Sequence, residues 1–193
     1  TICAETPGFL TSKDGFALNA TQDFTAIGQA DIVVVPYWQH VLERPPQTLL
    51  DSLVQARDRG AEIVGLCLGS FVLAWAGILD GKRAATHWEF ERQFQSLFPN
   101  VRLDINALYV DDGNIITSAG TAAALDCCLY IIRQRFGSVV ANQIARRMIV
   151  PPHREGGQAQ FIAQPVPKDT RDGRINCLID YLQQHITEQD RKS

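Results

Sequence analysis

Glu62-Ile63-Val64-Gly65-Leu66-Cys67-Leu68-Gly69-Ser70 runs from an apolar strand pattern, through two closely spaced glycines, into the apolar segment Phe71 to Ala76. The spacing Gly65-x-Cys67-x-Gly69 has the form of a nucleophile elbow, a sharp strand-to-helix turn in which small neighbours let the backbone pass closely. Cys67 would then stand at the N-terminal end of a helix, where free amides and the helix dipole favour thiolate over thiol. The alternative is a buried structural cysteine beside two ordinary glycines, since free Cys is among the most buried residue types.

Before the elbow, Asp31-Ile32-Val33-Val34-Val35-Pro36 is a continuous β-branched run closed by proline. It predicts a central parallel strand buried on both faces. Leu49, Leu50, Leu53, Val54 and Arg57 recur at helical spacing over 47–59, and Gly60 supplies the stop. The residues before Asp31 show two turns, Thr6-Pro7-Gly8 and Lys13-Asp14-Gly15, with Phe16-Ala17-Leu18 after the second. After the elbow helix, Arg83 to Ala85 reads as a short strand. Thr86-x-x-Glu89 reads as the capping box of a helix bearing Phe90, Phe94, Leu97 and Phe98.

Val101, Leu103, Ile105, Ala107 and Tyr109 alternate with polar residues, the pattern of one half-exposed strand. Asp112-Gly113 turns the chain into Ile115-Ile116-Thr117. Ser118 to Thr121 opens a long helix with a core stripe of Leu125, Leu129, Ile132 and Phe136, ended by Gly137. Ser138 caps a further helix that carries Ile144 and Met148 and stops before Pro151-Pro152. Strands alternating with helices predict a doubly wound, flavodoxin-like α/β fold whose mainly parallel sheet is sandwiched by helices.

The 193 residues, 46% hydrophobic and 20% charged, suit one globular domain with an appended piece. A formal charge of −3 argues against nucleic-acid binding by bulk electrostatics within this chain. Five cysteines, an odd number without paired ligand spacing, fit a reduced intracellular setting. His40, His87, His153 and His185 are scattered, so neither zinc nor another metal or cofactor is expected. No signal-peptide pattern occurs and no apolar run approaches the roughly 20 residues of a membrane span, so the expected location is the cytoplasm. The chain begins at Thr1 and ends at Ser193 soon after a fresh helix pattern, as a piece of a longer protein would. Gln164-Pro165-Val166-Pro167-Lys168-Asp169 and Arg171-Asp172-Gly173-Arg174 read as a linker. Ile175, Leu178, Ile179, Leu182 and Ile186 then form one apolar helical stripe that needs a surface to pack on.

Several stretches taken together resemble the ThiJ/PfpI superfamily. They are Gly65 to Phe71, Ala76 through Thr86-His87-Trp88, Phe98-Pro99, Thr117-Ser118-Ala119-Gly120 with Asp126, and His153-Arg154-Glu155-Gly156-Gly157-Gln158-Ala159-Gln160-Phe161. More narrowly, the region from about Asp31 to Phe161 looks like the class I glutamine amidotransferase-like domain at the N-terminus of AraC-type transcription regulators. The resemblance implies a PfpI-type sandwich with a sensor domain over 1–163 that lacks its first strand and helix. It further implies a linker over 164–174 and the start of a truncated helix-turn-helix domain over 175–193. The sequence departs from the pattern twice. The segment that usually carries a partner for the cysteine is absent, and Tyr37-Trp38-Gln39-His40 replaces a glycine-rich turn, which would put bulk near the elbow.

A cysteine nucleophile needs a base and oxyanion donors. The amide of Leu68 is placed as a donor, and His87 is the candidate base, with a pocket-lining or capping role as the alternative. Thr117, Ser118, Gly120 and Thr121 lie at a strand end leading into a helix, where amides hold small polar ligands or simply begin a helix. The expected ligand-facing set is Gly65, Leu68, Gly69, His87, Trp88, Ser118, Ala119, Gly120 and Thr121, around a Cys67 whose catalysis is lost or vestigial. Three readings stand. The first is a ligand-sensing, dimerising module of a transcription regulator, which binds a small-molecule effector and reaches DNA through a C-terminal domain outside this chain. The second is a cysteine-dependent hydrolase or isocyanide-hydratase-like enzyme. The third is a thiol redox sensor in which Cys67 oxidises ahead of Cys127, Cys128 and Cys177. The linker and terminal helix favour the first, since a free-standing enzyme has no evident use for them.

Overall fold

The computed structural model describes residues 1–12, 15–157, 177, 178 and 181. The chain divides into two compact units, Thr1–Gln160 and Phe161–Ser193. In the second, Cys177, Leu178 and Tyr181 are helical and exposed. The expected linker over 164–174 and the rest of the helix pattern over 175–193 lie outside the described residues.

The first unit opens with an antiparallel hairpin, β1 (Gly8–Thr11) and β2 (Ala17–Ala20). Its main sheet joins β3 (Ile32–Val35) and β4 (Glu62–Leu66) in parallel. Helix α1 (Gln47–Asp58) connects these two strands and buries Leu50, Leu53 and Ala56. Helix α2 (Gly69–Trp75) leaves the end of β4. A short parallel pair, β5 (Arg83–Ala84) and β6 (Arg102–Leu103), flanks α3 (Glu91–Leu97). The chain then returns through β7 (Tyr109–Asp111) and β8 (Ile115–Ser118) into α4 (Ala122–Met148). The sheet order is β3-β4-β8-β7, with only β7 antiparallel.

Period-two alternation along the central strands divides the core into two layers. Ile63 and Ile115 face one cluster with α1, α2 and α3, while Val64, Leu66 and Ile116 face another with Ala123 and Cys127 of α4. The first layer is anchored by Phe71, which meets Phe90, Phe94 and Phe98 edge to face at 6.2, 4.9 and 6.0 Å between ring centroids. Burying one such ring contributes roughly 1.5–3 kcal/mol.

Three expectations change. First, β3 is an edge strand rather than a central one, and Val34 is 48% exposed. An unbroken apolar run signals burial but not lateral position. The buried residues that join α4 in its core layer come from β4, β8 and the β7 region, and β3 adds only the partly buried Ile32, which leaves Val34 on the same face open. Second, the alternating stretch 101–109 is two strands in two sheets. Asp104 N donates to Ala84 O and Ala107 N to Asp104 O, turning the chain between β6 and β7. Third, the buried face of α4 carries Ala123, Asp126, Cys127 and Leu129, whereas Leu125 and Phe136 point outward. Small Ala123 and Cys127 let the helix approach the sheet closely and rotate the larger residues away. Gly137 interrupts α4 at φ 82°, ψ 168°, so the helix consists of two segments, with a break where the sequence placed a stop. Cys3, Cys67, Cys127, Cys128 and Cys177 are all unbridged. Among the described residues no helix is long and apolar enough to cross a membrane.

Candidate functional site

Cys67 follows directly on β4 with φ 52°, a left-handed conformation that costs a non-glycine residue about 1–3 kcal/mol. Close packing makes the turn possible. A Cβ on Gly65 would sit 3.0 Å from Ser70 Cα, and one on Gly69 would sit 2.0 Å from Val35 O. Both glycines therefore serve backbone approach, and neither needs to face a ligand. Cys67 N donates to Ser118 O at 3.1 Å. Its carbonyl accepts from Ser70 N at 3.4 Å and Ser70 Oγ at 2.8 Å, with Thr86 Oγ1 at 3.3 Å.

The Cys67 thiol is half-buried and accepts from the amides of Leu68 and Thr121. Burial pushes it above its ordinary range and the two amides only partly offset that. The dipole-favoured thiolate expected from the helix start is thus outweighed by desolvation. Thr121, at φ 43°, ψ −104°, precedes α4 without a side-chain cap, which aims its amide at the sulfur.

His87 reaches the same place from the other side. Its Nδ1 accepts from Glu89 N at 3.3 Å and caps the short 3-10 turn Trp88–Phe90, with Glu89 Oε2 3.7 Å away. The capping residue is therefore His87 and not Thr86. The chain stays extended one residue longer because Ala85 N donates to Thr117 Oγ1 at 2.8 Å, which turns Thr86 inward, fully buried. A Cβ on Gly120 would lie 2.2 Å from His87 Cδ2, 3.0 Å from His87 Nε2 and 3.3 Å from Cys67 Sγ. Any side chain at 120 would collide with the imidazole, so glycine there lets His87 and Cys67 close on the same spot. His87 Nδ1 is thus taken up by the cap, and Nε2 is the ring nitrogen on the side of Gly120. Trp88 stacks on His87 at 5.9 Å and 26°.

Cys67, Leu68, His87, Gly120 and Thr121 thus converge, and Trp88 forms an outer wall. Ser118 and Ala119 lie behind them, buried; Ser118 Oγ donates to Ala119 O at 3.0 Å, and Ala119 N to Leu108 O at 2.8 Å. The bulk expected from Tyr37 to His40 takes another form. Trp38 Nε1 donates to His40 O at 2.9 Å and Glu43 O at 3.1 Å, folding the indole onto its own loop.

Sequence reasoning gave no role to the Ser70 hydroxyl, read Thr86 as a helix cap, and did not find the contacts that hold the strap over 153–157. Arg154 Nη1 donates to Asp126 Oδ2 at 3.0 Å, Tyr109 Oη to Arg154 O at 3.0 Å, and Leu108 N to Gly156 O at 2.6 Å. Burial raises the Asp126 carboxyl, and Arg154 opposes it. Asp126 and Arg154 both fell within the stretches that carry the family resemblance, which was the available signal. Among the described residues no group of three or more His, Cys, Asp or Glu side chains could hold a metal ion.

A doubly wound sheet with a strained cysteine at the strand-to-helix turn is the architecture of the flavodoxin-like domains built around an elbow cysteine. The chain belongs to the DJ-1/PfpI family, whose model matches residues 1–134. It is 31% identical over 143 residues to the HTH-type transcriptional regulator CdhR of Pseudomonas aeruginosa, covering 74% of this chain and 42% of the regulator. It is 30% identical over 146 residues to isonitrile hydratase of Pseudomonas putida, covering 74% of this chain and 62% of the hydratase. A solved AraC family transcriptional regulator from Pseudomonas putida shares the fold with a TM-score of 0.61 at 22% identity, over 76% of this chain and 78% of that one. The chain spans less than two thirds of the length of these curated relatives.

Proposed function

We propose that this chain is the ligand-sensing domain of an AraC-type transcription regulator and that a small-molecule effector binds over Cys67 without turnover. The observation that carries the reading is the arrangement around Gly120, where His87 and Cys67 meet. There the Leu68 and Thr121 amides are turned onto a sulfur whose pKa burial raises, and His87 Nδ1 is taken up by its cap. That set lacks a base aimed at the thiol. Similarity to the CdhR regulator supports the same reading. The domain would extend over 1–163, with a linker over 164–174 and a DNA-binding domain beginning within 175–193. The effector would contact Leu68, His87, Trp88, Gly120 and Thr121, backed by Gly65, Gly69, Ser118 and Ala119. The whole regulator would be a cytoplasmic homodimer, since such proteins commonly read paired half-sites.

The test is a thermal-shift screen of small metabolites on the full-length protein, followed by calorimetry on hits. Binding should be lost in Gly120→Val, which drives a side chain into the His87 imidazole beside the thiol. Coupling to DNA requires different effector affinities for the free and operator-bound protein, so equal affinities would refute sensing. The second reading, a cysteine-dependent hydratase or hydrolase, draws on the isonitrile hydratase similarity and the elbow. It predicts turnover that vanishes in Cys67→Ala.

A further inference from the structure

The geometry points to the hydroxyls of Ser70 and Thr86 as the positioning pair for Cys67: together they hold the carbonyl of this strained residue and so keep its sulfur aimed at the Leu68 and Thr121 amides. A left-handed cysteine persists only where its surroundings over-determine it. On its amide side that is done by Ser118 O at 3.1 Å. On its carbonyl side the backbone supplies only Ser70 N at 3.4 Å, near the outer limit of a hydrogen bond. The close contact is Ser70 Oγ at 2.8 Å.

Ser70 is fully buried in a helix whose other side chains are apolar, and Thr86 is fully buried as well. A hydroxyl in such a place is costly unless it is hydrogen-bonded. The two oxygens lie 2.8 Å apart, and Thr86 Oγ1 lies 3.3 Å from Cys67 O, so two hydroxyl protons serve a triangle of three oxygens. Thr86 also immediately precedes His87, and the amide before it is tied to Thr117 Oγ1. One buried contact therefore fixes both walls of the gap, the sulfur through Cys67 O and the imidazole through the chain.

The inference rests on Cys67 being the working residue of the proposed site, but its test needs no effector, so the two can fail separately. The measurement is peptide-resolved alkylation by iodoacetamide of the full-length protein at fixed pH, following Cys67 against Cys127 and Cys128 in the same molecules. Thr86→Val and Ser70→Ala should each slow Cys67 about tenfold, the effect of losing one well-placed hydrogen bond, while Cys127 and Cys128 keep their rates. Thr86→Ser, which restores the hydroxyl, should return Cys67 to within about twofold of the parent. Hydroxyls that merely satisfied one another would lower the melting temperature and leave Cys67 at its parent rate, which would overturn the proposal. All three cysteines accelerating together, Cys67 alone accelerating, or a slow Thr86→Ser would also overturn it. If Thr86→Val does not fold, Thr86→Ala and Ser70→Ala against Thr86→Ser decide by the same criteria.

Discussion

In α2 every residue from Gly69 to Ala74 is buried, Ser70 included. Around and beyond the break at Gly137, α4 buries only Ala141 and Ala145, and leaves Phe136, Val139 and Met148 at 66%, 69% and 44% exposed. Both stretches are helical and rich in apolar residues, yet one is locked into the core and the other lies largely on its surface. The locked helix carries the cysteine's turn. The Thr121 amide immediately precedes the first half of α4, and the second half of that helix leads to the strap. The cysteine's turn is thus fixed by packing, while the Thr121 amide stands before a helix whose far end has few buried apolar contacts, the condition for local opening.

The contrast can be broken most sharply at Phe71. Phe71→Ala removes a ring that meets three others edge to face, and denaturant unfolding should show a loss of about 3–5 kcal/mol. Gly69→Ala should cost about 2 kcal/mol or more in the same assay, because its methyl would meet Val35 O at 2.0 Å and α2 must move away from β3. A third measurement concerns the thiol that α2 holds. Since burial raises its pKa, thiolate appears only at higher pH, and the Cys67 alkylation rate should climb about tenfold per pH unit and still be rising at pH 9. A plateau near neutrality would remove the argument against a nucleophile. On the exposed side, Gly137→Ala should cost about 1 kcal/mol, from a φ of 82° that alanine resists. Phe136→Ser should change stability by less than about 0.5 kcal/mol, and a larger loss would mean that this face of α4 is covered.

The elbow was legible because its parts are contiguous: strand, two glycines and buried helix follow one another in the chain. The partners of Cys67 were harder. Gly120 could be named as a helix start, but its role as the space between His87 and the sulfur depends on β8 pairing beside β4, which no local pattern encodes. Thr86 matched a capping box and was read as one. The cap moved to His87 because Thr117 holds the preceding amide, a contact across the sheet. The α4 stripe was misread because its buried side is marked by Ala123 and Cys127, residues too small to stand out beside Leu125 and Phe136. The helix start at Cys67 was legible too, but not how dry the turn is, and burial there raises the thiol's pKa.

The edge position of β3 matters for handling the protein at high concentration. Ile32-Val33-Val34-Val35 is an apolar strand with no charged residue of its own, and among the described residues no strand pairs with its outer side. Natural sheets guard such borders with lysine, proline or a bulge. Here the guards are Asp31 and Pro36, one at each end. Concentrated samples should therefore self-associate edge to edge along β3, and a lysine at the exposed Val34 position is the change that would keep them apart.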